Sequence, residues 1–161
     1  MNDGAEAVDL TVTALAVTMD GSTRELAKAT VSVGPDAAKL ALAIPAYQVS
    51  AAEMLAYVWS QGDVQIGGDV FAPKPYKAYD LLPANLSMTV AATASGYDLT
   101  LTADTLALFV AVEPDQPGRF SDNAFTVFPG HPATITFTPQ VPGIDPHFTI
   151  RDLHSATYGT H

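Results

Sequence analysis

The sequence contains no cysteine. That excludes a disulfide scaffold, thiolate zinc sites, iron–sulfur clusters and a catalytic thiol together. Positive charge is also scarce: Lys and Arg total 7 against 17 Asp and Glu, a formal net charge of −10. A chain this acidic is repelled by phosphate backbones, which argues against nucleic acid as a partner. Only 15% of the residues are charged while 48% are hydrophobic, so 161 residues suffice to bury a core. No run approaches the roughly 18 uninterrupted apolar residues of a membrane span, so no membrane partner is expected. The start, Met1-Asn2-Asp3-Gly4-Ala5-Glu6, is acidic where a signal peptide needs a basic and then an apolar segment. It marks no export, and it suits a chain that begins within something larger.

The residues that usually carry chemistry are thin as well. Gly67-Gly68 is an isolated pair, and neither a phosphate loop nor a dinucleotide fingerprint is present, so no cofactor is expected. The four histidines, His131, His147, His154 and His161, lack close metal-ligand spacing and read as structural or surface residues. No Gly-x-Ser-x-Gly elbow exists for a serine nucleophile. Paired carboxylates are the remaining catalytic option, since two are all a glycosidase needs. Glu113 with Asp115, Asp98 with Asp104, and Asp145 with Asp152 all flank strand signals, where they read as turn or solvated-face residues. Trp59 is the one tryptophan. It is the single candidate for stacking on a sugar, against a plainer role in core or interface.

What the chain has in abundance is period-two alternation. Leu86, Met88, Val90 and Ala92 share one face of a strand, Ser95-Gly96 makes a turn, and Tyr97, Leu99, Leu101 and Ala103 return. This predicts a β-hairpin. The run 106–112 is apolar on both faces, as in a central strand covered on both sides. Strands follow at 125–128, 133–137 and 148–150, with Pro129-Gly130 as a turn and 139–143 as a loop. Earlier, Leu10, Val12 and Ala14 alternate before Leu15 and Val17 switch face, Asp20-Gly21 turns, and Val31 with Val33 and Leu40 with Leu42 and Ile44 alternate again. Ser50-Ala51-Ala52-Glu53 has the form of a helix capping box, but the short, aromatic and β-branched run Leu55–Trp59 favours a strand. Two prolines in Phe71-Ala72-Pro73-Lys74-Pro75-Tyr76-Lys77 favour an extended connector. Short strands with turns every 8–12 residues predict an all-β, antiparallel sandwich class.

One segment is more specific. Gly118-Arg119-Phe120-Ser121-Asp122-Asn123-Ala124-Phe125-Thr126-Val127-Phe128-Pro129-Gly130 resembles the signature of the C-terminal Ig-like domain of β-mannosidases of glycoside hydrolase family 2. Asp152-Leu153-His154-Ser155-Ala156-Thr157-Tyr158 looks like the end of that domain, and 69–77 is similar to the family's link between its last two sandwiches. The resemblance implies a partial Ig-like sandwich over 1–72, a linker over 73–82 and a complete Ig-like sandwich over 83–161. It implies that Phe120, Ser121, Asp122, Asn123, Phe125, Pro129 and Gly130 act in structure or at a domain contact. It brings no catalysis: the family's two glutamates lie on a (β/α)₈ barrel, the acid/base in an Asn-Glu pair, and none of Glu6, Glu25, Glu53 or Glu113 follows an asparagine.

The expectation is a non-catalytic region of an exo-glycosidase whose parent removes terminal β-D-mannose with retention. Its partners would be the barrel and sandwich domains of the same enzyme, and unpaired strand edges offer a route to a homodimer. The compartment is left open between bacterial cytoplasm and periplasm. Two rivals stand beside it: a carbohydrate-binding sandwich, and a structural or adhesive Ig-like domain of a surface protein.

Overall fold

The alternation becomes strands along most of the chain in a computed structural model that describes residues 2–141, 143 and 145–159. His161, and Pro142 in the 139–143 loop, lie outside the described residues. The chain forms two units: Met1–Thr18 with Ser22–Tyr79, and Met19–Gly21 with Asp80–His161. All strand pairs among the described residues are antiparallel, which makes the chain an all-β protein without a (β/α)₈ barrel.

The first unit is one four-stranded sheet built from β1 (Val8–Thr18), β2 (Thr23–Val33), β3 (Glu53–Gln61) and β4 (Val64–Phe71), in the order β2-β1-β3-β4. The register places Val31 opposite Leu10, Ala29 and Trp59 opposite Val12, and Ala27 and Tyr57 opposite Ala14. Directly opposed residues share a face, so this face is a band of apolar side chains. The face switch expected at Leu15 is present: Leu15 and Val17 point the other way, opposite Ala56 and Met54, and all four are buried. A bulge at Ala14/Leu15 marks the β1–β2 ladder there.

Two expectations fail in this unit, the strand over 40–44 and the extended connector. Leu40, Leu42 and Ile44 do not form a strand; 38–45 is irregular, and Leu40 is 79% exposed. The intervening Lys39, Ala41 and Ala43 have little β preference, and polar side chains tie this segment down. Lys39 Nζ donates to Ser32 O at 3.4 Å, and Arg24 Nη2 donates to Gln48 O at 3.0 Å. Gly67-Gly68 lies inside β4, opposite Trp59 and Val58. The Ser50–Glu53 box starts no helix. Only half of the box forms: Ser50 N donates to Glu53 Oε2 at 2.8 Å, while Glu53 N donates to the backbone Ser50 O at 3.1 Å, closing a turn that feeds β3. Leu55–Trp59 is strand, as the residue types favour. The connector is not extended throughout either, since Tyr76–Ala78 is a single 3₁₀ turn.

The second unit is a sandwich of two sheets. One is β5 (Ser87–Ala92), β6 (Tyr97–Thr102), β10 (Ala133–Pro139) and β8 (Gly118–Phe120), in the order β5-β6-β10-β8. The other places β7 (Ala107–Pro114) between β11 (Phe148–Arg151) and β9 (Phe125–Val127). Inward residues of both sheets make one core: Leu99 and Leu101 from β6, Val110 and Val112 from β7, Val127 from β9, and Ile135 and Phe137 from β10. Phe137 is fully buried, with ring centroids of Phe120 at 4.8 Å and Phe148 at 5.2 Å. Rings at these separations add to the stability that their buried area provides.

Three details depart from the pattern reading. Strand β5 is an outer strand, and although Leu86 and Met88 pack on the core, Val90 is 47% exposed. Strand β7 is central, yet its outer face is not covered throughout. A register shift between Ala107 and Val110 leaves Phe109 at φ +51° and 43% exposed. After β11 comes α1 (Leu153–Tyr158), a helix that the alternation does not signal. Its cap is Asp152, buried, whose Oδ1 accepts from Ser155 N at 2.9 Å while Asp152 N donates to Ser155 Oγ at 2.9 Å.

Candidate functional site

The Phe120–Gly130 signature lies where the chain leaves one sheet of the second unit for the other, between β8 and β9. Each of its residues has a definable task. Phe120 stands opposite Phe137 on β10 and packs on its ring. Ser121 extends that pairing past the end of β8: its N–H donates to Thr136 O at 2.9 Å, and its Oγ accepts from Thr136 N at 3.0 Å. Asp122 Oδ1 accepts from Asn123 N at 2.7 Å and starts the turn. Asn123 then acts as a strand one residue long. Its Nδ2 donates to Val112 O at 3.1 Å, and its Oδ1 accepts from Val112 N at 3.0 Å. An amide side chain thus supplies the donor and acceptor that a neighbouring peptide would give to β7. The same Oδ1 accepts from Ala124 N at 3.0 Å, and Ala124 takes φ +64° to re-aim the chain. Phe125 returns to the core. The Pro129-Gly130 turn closes with His131 N donating to Phe128 O at 2.9 Å.

Two residues outside the anchor list complete this corner. A Cβ on Gly118 would fall inside the Phe137 ring, so the glycine at the head of the signature is the floor on which that ring lies. Val112 is the backbone group that Asn123 serves. The Gly-x-Phe spacing opposite an alternating strand signals the first; nothing in the sequence signals the second.

Trp59 sits in the first unit, on β3. The Gly67 backbone passes directly beneath its indole, where a Cβ would overlap the ring. Tyr57, two residues earlier on the same face, has its ring centroid 6.2 Å from Trp59 with planes 19° apart. Its hydroxyl donates to Asp69 Oδ2 at 3.3 Å. Burial pushes the Tyr57 phenol up, and the Asp69 charge adds to that. Sequence reasoning named Trp59 alone, because Tyr57 and Asp69 meet only through the β3–β4 register.

Five of the six candidate carboxylates are taken up individually, and Asp98 lies on β6 opposite Thr136 and Ala91. Glu113 pairs with Arg151. Asp115 Oδ1 accepts from His147 N at 2.8 Å. Asp145 Oδ1 accepts from Tyr97 OH at 2.9 Å, the main reason that phenol titrates above its ordinary value. Asp104 Oδ2 accepts from Asn85 Nδ2 at 3.3 Å, and Asp152 caps α1. Burial lowers the His131 imidazole below its ordinary 6.5, and its ring lies 4.5 Å from that of Phe128. His154 lies 5.2 Å from Tyr158, ring to ring. A groove of about 270 Å³ runs between the 83–86 segment and the head of α1, lined by Pro83, Asn85, Ile150 and His154 among others. Among the described residues no group of three His, Asp or Glu is placed to hold a metal ion.

Packing and backbone pairing account for the corner of this Ig-like sandwich. Residues 81–156 match the Ig_mannosidase family, an Ig-fold domain. Among solved structures, the fold is similar to a β-D-mannosidase from Dictyoglomus thermophilum, at TM-score 0.79 and 16% identity, covering 94% of this chain and 20% of that one. It is also similar to the exo-chitosanase CsxA of Amycolatopsis orientalis, at TM-score 0.73 and 21% identity, covering 94% of this chain and 23% of that one. The chain therefore spans less than a quarter of the length of these two proteins. No curated protein sequence matches it.

Proposed function

We propose that this chain is the non-catalytic C-terminal Ig-like region of a family 2 glycoside hydrolase whose parent removes terminal β-D-mannose residues with retention. The observation that carries the reading is the Ig_mannosidase match over 81–156, set in a fold that follows a β-D-mannosidase across 94% of the chain. Residues 1–72 are the later strands of a preceding Ig-like domain, a reading supported by the apolar face of the β2-β1-β3-β4 sheet. Residues 73–82 link it to the last sandwich, 83–161. The partners are the (β/α)₈ barrel and the other sandwich domains of the same polypeptide, and Phe120–Gly130 holds the last domain in the form they pack against.

The test has two arms. The purified chain should leave aryl β-D-mannosides intact, and measurable turnover would overturn the accessory role. The protein encoded by the whole reading frame should hydrolyse aryl β-D-mannosides faster than aryl β-D-glucosaminides. The reverse preference would move the parent to the chitosanase side and leave the accessory role standing.

A second reading, a carbohydrate-binding surface, draws on the Tyr57–Trp59 pair and the Asp69 carboxylate beside it. Near-parallel rings with an adjacent acceptor suit the C–H face and hydroxyls of a pyranose. Calorimetric titration with mannan oligosaccharides, repeated on Trp59→Ala, decides it: heat that vanishes in the variant supports sugar binding, and no heat in the parent chain ends it.

A further inference from the structure

Every sheet here has outer strands, and nearly all are guarded. Edges that expose unpaired N–H and C=O groups invite another strand, and natural proteins defend them with charge, shortness, bulges or covering segments. Strand β2 carries Arg24, Glu25 and Lys28, and Lys39 and Arg24 tie the 38–48 segment to it. Strand β4 carries Asp69 and a register break opposite Trp59/Ser60. Strands β8 and β9 have three residues each, and β11 has four, including Arg151 in its pair with Glu113.

Strand β5 has none of these devices. Ser87-Met88-Thr89-Val90-Ala91-Ala92 pairs with β6 at six successive positions without a bulge, and among the described residues no strand lies on its other side. It contains no proline and no charge. Residues 81–97 hold no Asp, Glu, Lys or Arg at all, in a chain of net charge −10. Five of the six side chains are exposed, and all except Met88 and Val90 are small.

We propose that β5 is a self-association edge, which pairs antiparallel with β5 of a second copy of this chain across a two-fold axis. The occupant follows from charge. Two chains of net −10 repel, and the one long edge where they meet without bringing like charges face to face is this neutral one. Pairing joins two four-stranded sheets into one of eight strands, with backbone hydrogen bonds giving affinity and small side chains permitting close approach. The proposal is independent of the glycosidase reading, since it uses only the edge and the charge distribution.

Sedimentation equilibrium of the full chain, at graded protein concentrations and at two salt concentrations, tests it. The expected result is a monomer–dimer equilibrium that tightens as salt rises, because screening weakens the net repulsion. Val90→Lys should weaken dimerisation by about tenfold or more, since it sets like charges against each other near the two-fold axis. Thr30→Lys, on the guarded β2 edge, should leave the equilibrium unchanged. Hydrogen exchange of the unaltered chain supplies a readout that needs no variant: amides within 87–92 should gain protection as concentration rises, and those of β2 and β4 should not. A chain that stays monomeric at all concentrations overturns the proposal. So does a dimer that survives Val90→Lys, or protection that builds on another strand.

Discussion

Replacing Asn123 with alanine removes both hydrogen bonds that its amide makes to Val112, at 3.0 and 3.1 Å. Val112 is only 1% exposed, whereas Asn123 itself lies at the surface, so water partly replaces the lost amide. Two neutral hydrogen bonds at a net ~1 kcal/mol each give a loss of about 2 kcal/mol. For a unit of this size that is a fall in Tm of roughly 10 °C. Asn123→Asp makes a sharper test. At neutral pH it keeps the acceptor for Val112 N but turns a second oxygen toward Val112 O, so it should be no more stable than the alanine variant. Protonation restores a donor. The new carboxyl therefore has a folded pKa above its unfolded value, and stability should return as pH falls below it. Scanning calorimetry between pH 4 and 8, with hydrogen exchange at the Val112 amide, reads both effects. An alanine variant within about 0.5 kcal/mol of the parent, or an aspartate variant that acid does not rescue, would refute the strand-substitute account.

Gly118→Ala should destabilise the second unit by about 1–3 kcal/mol in urea titration, because its Cβ displaces the buried Phe137 ring; Gly34→Ala, whose Cβ meets open space, should be nearly silent. Gly67→Ala should push the indole of Trp59 off the β4 backbone, seen as a shift in tryptophan emission with the far-ultraviolet circular dichroism intact. The Glu53 carboxyl is held below its ordinary 4.5, chiefly by the Ser50 backbone N–H and then by the Ser50 side chain and Arg24. A depressed folded pKa contributes stability that is present above the unfolded pKa and lost as pH falls through the folded one, so Glu53→Gln should flatten the acid limb of the stability profile.

The parts of the fold that could be read ahead are those where side-chain pattern and backbone agree. The 86–103 hairpin and the 133–137 strand alternate large apolar with polar residues, and each lies in a sheet with one face on the core. The misreadings share a physical origin: the deciding partner is distant in sequence. Leu40–Ile44 alternates like a strand, but it is flanked by side-chain ties, Lys39 to Ser32 O before it and Arg24 to Gln48 O after it, instead of a ladder. The Asp152–Ser155 cap was written in the chain, yet α1 is so short that apolar periodicity could not announce it. In the signature, the large anchors Phe120 and Phe125 were legible as packing residues, whereas the roles of Ser121 and Asn123 depend on which backbone groups, Thr136 and Val112, the sandwich brings beside them.

Asn123 has one further consequence. Because the partner of Val112 is a side-chain amide and not a peptide group, one rung of the sheet can be cut by simple hydrolysis under conditions that leave the backbone whole. Release of ammonia from Asn123 would write an aspartate into the corner where the chain crosses between sheets. The loss of that one nitrogen would remove the donor to Val112 O, so a change at a surface side chain would reach the core ladder directly.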